Sequence, residues 1–205
     1  MIRVIIVEDQ VLLRDALTRI INGQPDMKVE GFAVDADQAL DLCRDLAPDL
    51  ALIDVVTEGK ANGITAAAAI RRELPEVKIV VMTSLPEITF LDAARKAGAH
   101  SFVYKDSDSE HVIYVIRSTM KGKGTYPGPG DDAVARARFS EAEIKVIRLV
   151  CQGKKRNEIA DALHMSESSV KAVISDILNK TGFDSITKFS MYALSRGFIV
   201  PDHNV

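Results

Sequence analysis

The feature that most constrains this chain is an alternation over its first 120 residues. Short runs of Val, Ile and Leu are separated by stretches with helical spacing. The runs are 2–7, 29–33, 50–53, 79–82 and 102–104. They lack the polar alternation of a half-exposed strand, so they read as parallel strands buried on both faces. Helical stretches fall at 10–22, 36–47, 63–73, 87–97 and 109–121. In the first of these, Leu12, Leu13, Ala16, Leu17, Ile20 and Ile21 recur at helical spacing. Pro48 and Pro75 follow the second and third, which a proline cannot continue. Five such units predict an α/β fold, a doubly wound five-stranded parallel sheet with right-handed crossovers.

The pattern ends in residues 122–132, where four glycines and two prolines interrupt all periodicity. Beyond them the chain reads as all-helical, with helices near 140–152, 156–163, 167–180 and 184–195. The expected organisation is a first domain over 1–121, a linker over 122–138 and a small four-helix domain over 139–199. Charge divides in the same way: residues 1–135 carry a net −6 and residues 136–205 a net +3. An acidic half joined to a basic half suggests different partners, with a polyanion assigned to the second. Cys43 and Cys151 lie in separate apolar helical patterns and read as buried hydrophobes in a reducing compartment, not as a disulfide or metal pair. No apolar run approaches the roughly 18 residues of a membrane span. The start reaches Glu8 and Asp9 too early for a secretory signal, so a cytoplasmic location is expected.

The informative positions of the first half are strand ends. Glu8 and Asp9 close the first strand, Asp54 the third, Thr83 the fourth and Lys105 the fifth. Open α/β sheets bind ligands at the carboxyl ends of their strands, where the strand order reverses. With the order 2-1-3-4-5, three carboxylates converge there. Such crowding calls for a hard divalent cation with oxygen ligands, Mg²⁺ by preference. Asp54 can then act as a nucleophile toward a phosphoryl group, while Lys105 and the cation neutralise charge developing on its oxygens. The Thr83 hydroxyl can donate to a phosphoryl oxygen afterwards.

In the second half, Asn157–Val170 carries two helical patterns across a short turn, with Ile159, Ala160, Leu163, Met165 and Val170 spaced for packing. Ser166 reads as the N-cap of the second helix and Glu167 suits its positive end. Val170, Ile174, Ile177, Leu178 and Thr181 form its buried stripe. Ser168, Lys171, Ala172, Ser175 and Asn179 form the opposite face, small or polar enough for a major groove. Lys154, Lys155 and Arg156 oppose the dipole of the preceding helix, a cost that nearby phosphates would offset, so they read as backbone contacts.

These residues carry two resemblances. Ile5-Ile-Val-Glu-Asp9, Leu50-Ala-Leu-Ile-Asp54, Val80-Val-Met-Thr-Ser84 and Ala97-Gly-Ala-His-Ser-Phe-Val-Tyr-Lys105 resemble, in order, the motifs of a flavodoxin-like response-regulator receiver domain. The resemblance implies that Glu8, Asp9, Asp54 and the Val56 backbone carbonyl hold Mg²⁺. It also implies that a sensor histidine kinase phosphorylates Asp54 and that Thr83 and Phe102 form a switch pair. The chain departs from the family where Thr57-Glu58 replaces Met-Pro, where Asn62-Gly63 arrives one residue late, and where Asp106 replaces a common proline.

Residues 139–199 resemble a LuxR/NarL-type helix-turn-helix domain, through Phe139-Ser-Glu-Ala-Glu-Ile-Lys-Val-Ile147, Asn157-Glu-Ile-Ala160 and Ser166-Glu-Ser-Ser-Val-Lys171. Lys171 falls on a DNA-contacting family position, but Ala172-Val173-Ile174 and Asp176 make the recognition helix weakly basic. Together the resemblances imply a two-component response regulator that dimerises when phosphorylated, binds double-stranded DNA and regulates transcription. It would not be a turnover enzyme. Two rivals exist. A haloacid-dehalogenase phosphatase also uses a strand-end aspartate, but on its first strand with a second Asp two residues on, where this chain has Val56. A regulator acting through protein contacts would fit Ala172, Val173 and Asp176.

Overall fold

The computed structural model describes residues 1–57, 62–84, 88–127 and 139–199. The chain divides into two compact units. In the first, the elements run β1 (Ile2–Val7), α1 (Val11–Asn22), β2 (Met27–Ala33), a 3-10 turn (Ala36–Gln38), α2 (Ala39–Leu46), β3 (Leu50–Asp54), α3 (Gly63–Glu73), β4 (Lys78–Thr83), α4 (Ile88–Lys96), β5 (Ser101–Tyr104) and α5 (Ser109–Met120). The strands form one parallel sheet in the order β2-β1-β3-β4-β5, the doubly wound arrangement expected from sequence.

Several strands run past their aliphatic runs. Met27 and Lys28 enter β2, Lys78 and Thr83 enter β4, and Ser101 joins β5. Ladder hydrogen bonds are made by the backbone, so a polar side chain at a strand end does not exclude its residue. The second helix begins as a 3-10 turn because Asp35 caps it, its carboxylate accepting from the Gln38 N–H at 3.1 Å. Of the helix expected at 87–97, residue 87 lies outside the described residues and α4 covers Ile88–Lys96.

The core follows the period of two. Val4, Ile6, Leu50, Leu52, Val80, Met82 and Val103 cover one face of the sheet and pack on Leu17 and Ile21 of α1 and on Val112, Ile113, Val115 and Ile116 of α5. Ile5, Val7, Ala51, Ile53, Ile79 and Val81 are buried as well, which explains the unbroken aliphatic runs. Each fully buried aliphatic side chain contributes about 1.5–3 kcal/mol, so the central strands are well placed to hold functional groups rigidly at their ends.

Beyond α5 the chain does not leave the first unit at once. Phe102 N–H donates to the Thr125 carbonyl at 2.8 Å, so residues 122–127 run back along the outer edge of β5. The rest of the expected linker, 128–138, lies outside the described residues.

The second unit contains α6 (Glu141–Cys151), α7 (Arg156–Leu163), α8 (Glu167–Thr181) and α9 (Ile186–Ser195). Its core gathers Val146, Ile147, Ile159, Ala160, Val170, Ile177, Phe189 and Ala193. Phe189 is central, with the Phe183 ring edge-on at 5.7 Å. A capping box opens α6: Glu143 N–H donates to Ser140 Oγ at 3.2 Å and Ser140 N–H to Glu143 Oε2 at 2.6 Å. Ser166 caps α8 as expected, accepting from the Ser169 N–H at 3.1 Å. Among the described residues no helix is long and apolar enough to cross a membrane.

Candidate functional site

Because β1 and β3 are neighbours, with Val7 opposite Ile53, the residues that follow are brought together at one edge of the sheet. Glu8 is fully buried and Asp54 is 2 % exposed. One carboxylate oxygen from each of Glu8, Asp9 and Asp54 lies within 4.8 Å of the others. Lys105 follows β5 and reaches across: its Nζ is 2.7 Å from Asp54 Oδ2, in a hydrogen bond, and 2.7 Å from Glu8 Oε2. The second contact lacks hydrogen-bond geometry, and Glu8 Oε2 and Asp9 Oδ1 are both buried without a hydrogen-bond partner.

The electrostatics follow from this crowding. Burial raises the carboxyls of Glu8 and Asp54 above their ordinary ranges, and the Lys105 ammonium beside them only partly opposes it. Burial pulls the Lys105 ammonium down, but its hydrogen bond to Asp54 and its ion pair with Glu8 win and hold it above the usual lysine value. Among the described residues, three carboxylates face one ammonium, which leaves the site short of positive charge. An oxygen-only donor set, two of whose buried oxygens accept no hydrogen bond from the described residues, suits a hard divalent cation.

The other expected residues are near this edge. Thr83 is 1 % exposed at the end of β4, and its carbonyl accepts from the Lys105 N–H at 2.9 Å. The Val56 backbone beside Asp54 pulls its carboxyl down, against the effect of burial. Phe102 is 1 % exposed on β5, its ring edge-on to Tyr104 at 5.4 Å. Glu58 lies outside the described residues, whereas Thr57 accepts from the Ala36 N–H through its hydroxyl at 3.1 Å. Thr57 thus ties the loop after β3 to the one after β2. Asp106 is exposed, and Asp108 caps α5 by accepting from the His111 N–H at 2.7 Å.

The roles of two residues here escaped the sequence reading. Arg14 is 9 % exposed, donates from Nη1 to the Glu8 carbonyl at 3.1 Å, and holds its guanidinium 4.3 Å from the Phe32 ring centroid. Its signal was present: Arg14, Leu17 and Ile21 share the buried face of α1 at helical spacing. Gly63 starts α3 directly against Asp54, where a Cβ would fall 1.9 Å from the Asp54 carbonyl oxygen. The displaced Asn62-Gly63 pair therefore still performs a local task, since Asn62 also caps α3 through the Thr65 N–H at 2.9 Å.

In the second unit, Ser168, Lys171, Ala172, Ser175 and Asn179 are all exposed on α8, as are Lys154, Lys155 and Arg156. Val173 differs: it packs against the helical core and belongs to no groove-facing surface. The cations at the start of α7 are locally compensated as well, because Glu158 folds back to accept from the Lys155 N–H at 2.7 Å.

A parallel sheet in this order, with three acids and a lysine at the carboxyl edge, defines a receiver domain. The comparisons agree. The model of the response regulator receiver domain matches residues 4–117, and that of the bacterial regulatory proteins of the luxR family matches residues 137–193. The transcriptional regulatory protein LiaR of Bacillus subtilis is 31 % identical over 205 residues, spanning 94 % of this chain and 97 % of the relative. Among solved structures, the receiver domain of the putative response regulator NarL from Mycobacterium tuberculosis aligns with a TM-score of 0.56 at 28 % identity, covering 59 % of this chain and 97 % of that one. The RcsB response regulator of Salmonella typhimurium shares the fold at 21 % identity, with a TM-score of 0.68 over 92 % of this chain and 98 % of that one. The chain belongs to the two-component response regulators that join a receiver to a LuxR-type helix-turn-helix domain, transcription regulators rather than turnover enzymes.

Proposed function

We propose that Asp54 is the phosphoacceptor of this regulator and that its phosphorylation by a sensor histidine kinase controls dimerisation and DNA binding. The observation that carries the reading is the Asp54 carboxylate itself: buried at the end of a central strand, bonded to Lys105, and flanked by Glu8 and Asp9. In the transfer, an Asp54 oxygen forms the new P–O bond while the P–N bond to the donor histidine breaks, its electron pair returning to the imidazole. The product is an acyl phosphate. Lys105 offsets the charge on the phosphoryl oxygens and Thr83 donates its hydroxyl to one of them. Glu8, Asp9, Asp54 and the Val56 carbonyl would hold Mg²⁺. When bound, it supplies the positive charge that the carboxylates lack.

The inward ring of Phe102 and the Thr83 hydroxyl form the two-state element through which phosphorylation acts. We assign the receiver to 1–121, the linker to 122–138 and the DNA-binding domain to 139–199, in a cytoplasmic protein. On double-stranded DNA, Lys154, Lys155 and Arg156 contact phosphates, while Ser168, Lys171, Ala172, Ser175 and Asn179 face the major groove. Four cations make a modest footprint, and dimerisation doubles it.

The test is gel retardation of genomic DNA fragments by wild type and Asp54→Asn, with and without acetyl phosphate. Retention that rises with acetyl phosphate only in wild type supports the reading. On a retained fragment, Lys154→Ala lowers the salt slope by about one. Absence of any retarded fragment favours output through protein contacts, for which the exposed Ala172 and Asp176 speak.

A further inference from the structure

Residues 122–127 form a built strap instead of free chain. Lys123 N–H donates to the Ser118 carbonyl at 2.9 Å, Phe102 N–H to the Thr125 carbonyl at 2.8 Å, and Thr125 N–H to Ser101 Oγ at 2.9 Å. Ser101 Oγ also shares a 2.6 Å hydrogen bond with Thr119 Oγ1, anchoring the strap to β5 and α5 together. Gly124 lies so close to the strand that a Cβ there would stand 2.5 Å from the His100 carbonyl oxygen. Tyr126 then lays its ring against Phe102, with centroids 6.3 Å apart and planes inclined by 26°. Its hydroxyl donates to the Ala99 carbonyl at 2.8 Å, and the Arg95 guanidinium of α4 lies 4.5 Å from its ring centroid.

We infer that Tyr126 is a positioning residue of the phosphorylation switch: docked, it holds the Phe102 ring inside the domain, and its strap binds more tightly when Asp54 is phosphorylated. This rests on the function proposed above, and takes the inward Phe102 ring as the phosphorylated state of that two-state element. Phe102 is 1 % exposed while Tyr126 is half-buried, so Tyr126 forms the outer layer of the stack. Phe102 cannot swing to the surface past a docked Tyr126. Inward ring and docked strap are one state, and whatever favours either favours the other by the same factor. Undocking frees six residues, Gly122 to Pro127, and lengthens the tether to the second domain by up to about 20 Å. Phosphorylation would thereby shorten the reach of the DNA-binding domain from its receiver.

Hydrogen exchange at the Phe102 and Thr125 amides reads the strap directly, because both N–H groups close it. The full chain is measured with and without beryllofluoride and Mg²⁺, as wild type, Tyr126→Ala and Gly124→Ala. Incorporation from acetyl phosphate is followed in parallel. In wild type both amides slow by about fivefold or more on adding beryllofluoride. Tyr126→Ala loses that slowing yet still incorporates phosphoryl groups. Gly124→Ala, which keeps both rings but forces the strap off β5, loses it too. A purely structural tyrosine would speed exchange equally in both states and leave the ratio at its wild-type value, which overturns the inference. So does faster wild-type exchange with beryllofluoride. Failure of wild type to incorporate phosphoryl groups at Asp54 instead overturns the phosphoacceptor reading, and Tyr126's role with it.

Discussion

Replacing Gly63 with alanine probes how tightly α3 is seated on the acceptor. An added Cβ would lie 1.9 Å from the Asp54 carbonyl oxygen, 2.8 Å from its carbonyl carbon and 2.9 Å from Ile53 Cγ2. Two of these atoms are backbone and cannot turn aside. Ordinary contact requires about 3.4 Å, so the start of α3 or the end of β3 must move by about 1.5 Å. Overpacking of this kind costs about 1–3 kcal/mol. Alanine recovers up to about 1 kcal/mol of helix propensity, leaving a net loss of up to about 2 kcal/mol. Thermal unfolding should then fall by up to about 8 °C. The chemical effect is larger in proportion, because an ångström of misplacement costs a positioned nucleophile about a hundredfold. Incorporation from acetyl phosphate should slow by at least about tenfold even where the domain stays folded. A Gly63→Ala protein that melts like wild type and labels at the wild-type rate would refute this close seat of α3 on Asp54.

Two further outcomes follow from buried groups elsewhere. Burial alone would raise the Glu143 carboxyl, but Lys180 at 2.6 Å and the Ser140 cap hold it below the usual range. Its stabilisation is therefore present above the ordinary glutamate value of about 4.3 and is lost as pH falls through the lower folded value. Glu143→Gln should cost about 1 kcal/mol at neutral pH, Lys180 being 41 % exposed, and should flatten that acid-side decline in denaturant titrations. An unchanged pH profile would contradict it. Burial pushes the Cys43 thiol up to about 12, and only 1 % of the residue is exposed. Cys43 should resist Ellman's reagent in the native protein and react only on unfolding; rapid native labelling of Cys43 would count against its burial.

Much of this molecule is written in local patterns. The buried strands are legible because residues such as Val4–Val7 and Leu50–Ile53 are apolar on both faces, and the acids, Thr83 and Lys105 declare themselves by ending those runs. Ser166 is legible as a cap because its chemistry acts three residues away. What stays hidden depends on contacts distant in sequence. Nothing near Tyr126 in the chain announces Phe102 as its partner, and a Gly- and Pro-rich stretch reads as linker even where it is strapped to a strand edge. The spacing of Arg14 with Leu17 and Ile21 marks it as buried, but not its partners, Phe32 and the Glu8 carbonyl. Val173 looks like a defect in a DNA-reading face until the second core claims it.

The central claim is that Asp54 is where the phosphoryl group lands. The most direct measurement is peptide mapping by mass spectrometry after incubation with acetyl phosphate and Mg²⁺, on wild type and Asp54→Asn. Incorporation confined to the peptide carrying Asp54, and absent from Asp54→Asn, is the expected result. Equal incorporation in Asp54→Asn, or label mapping to another residue, would contradict the account.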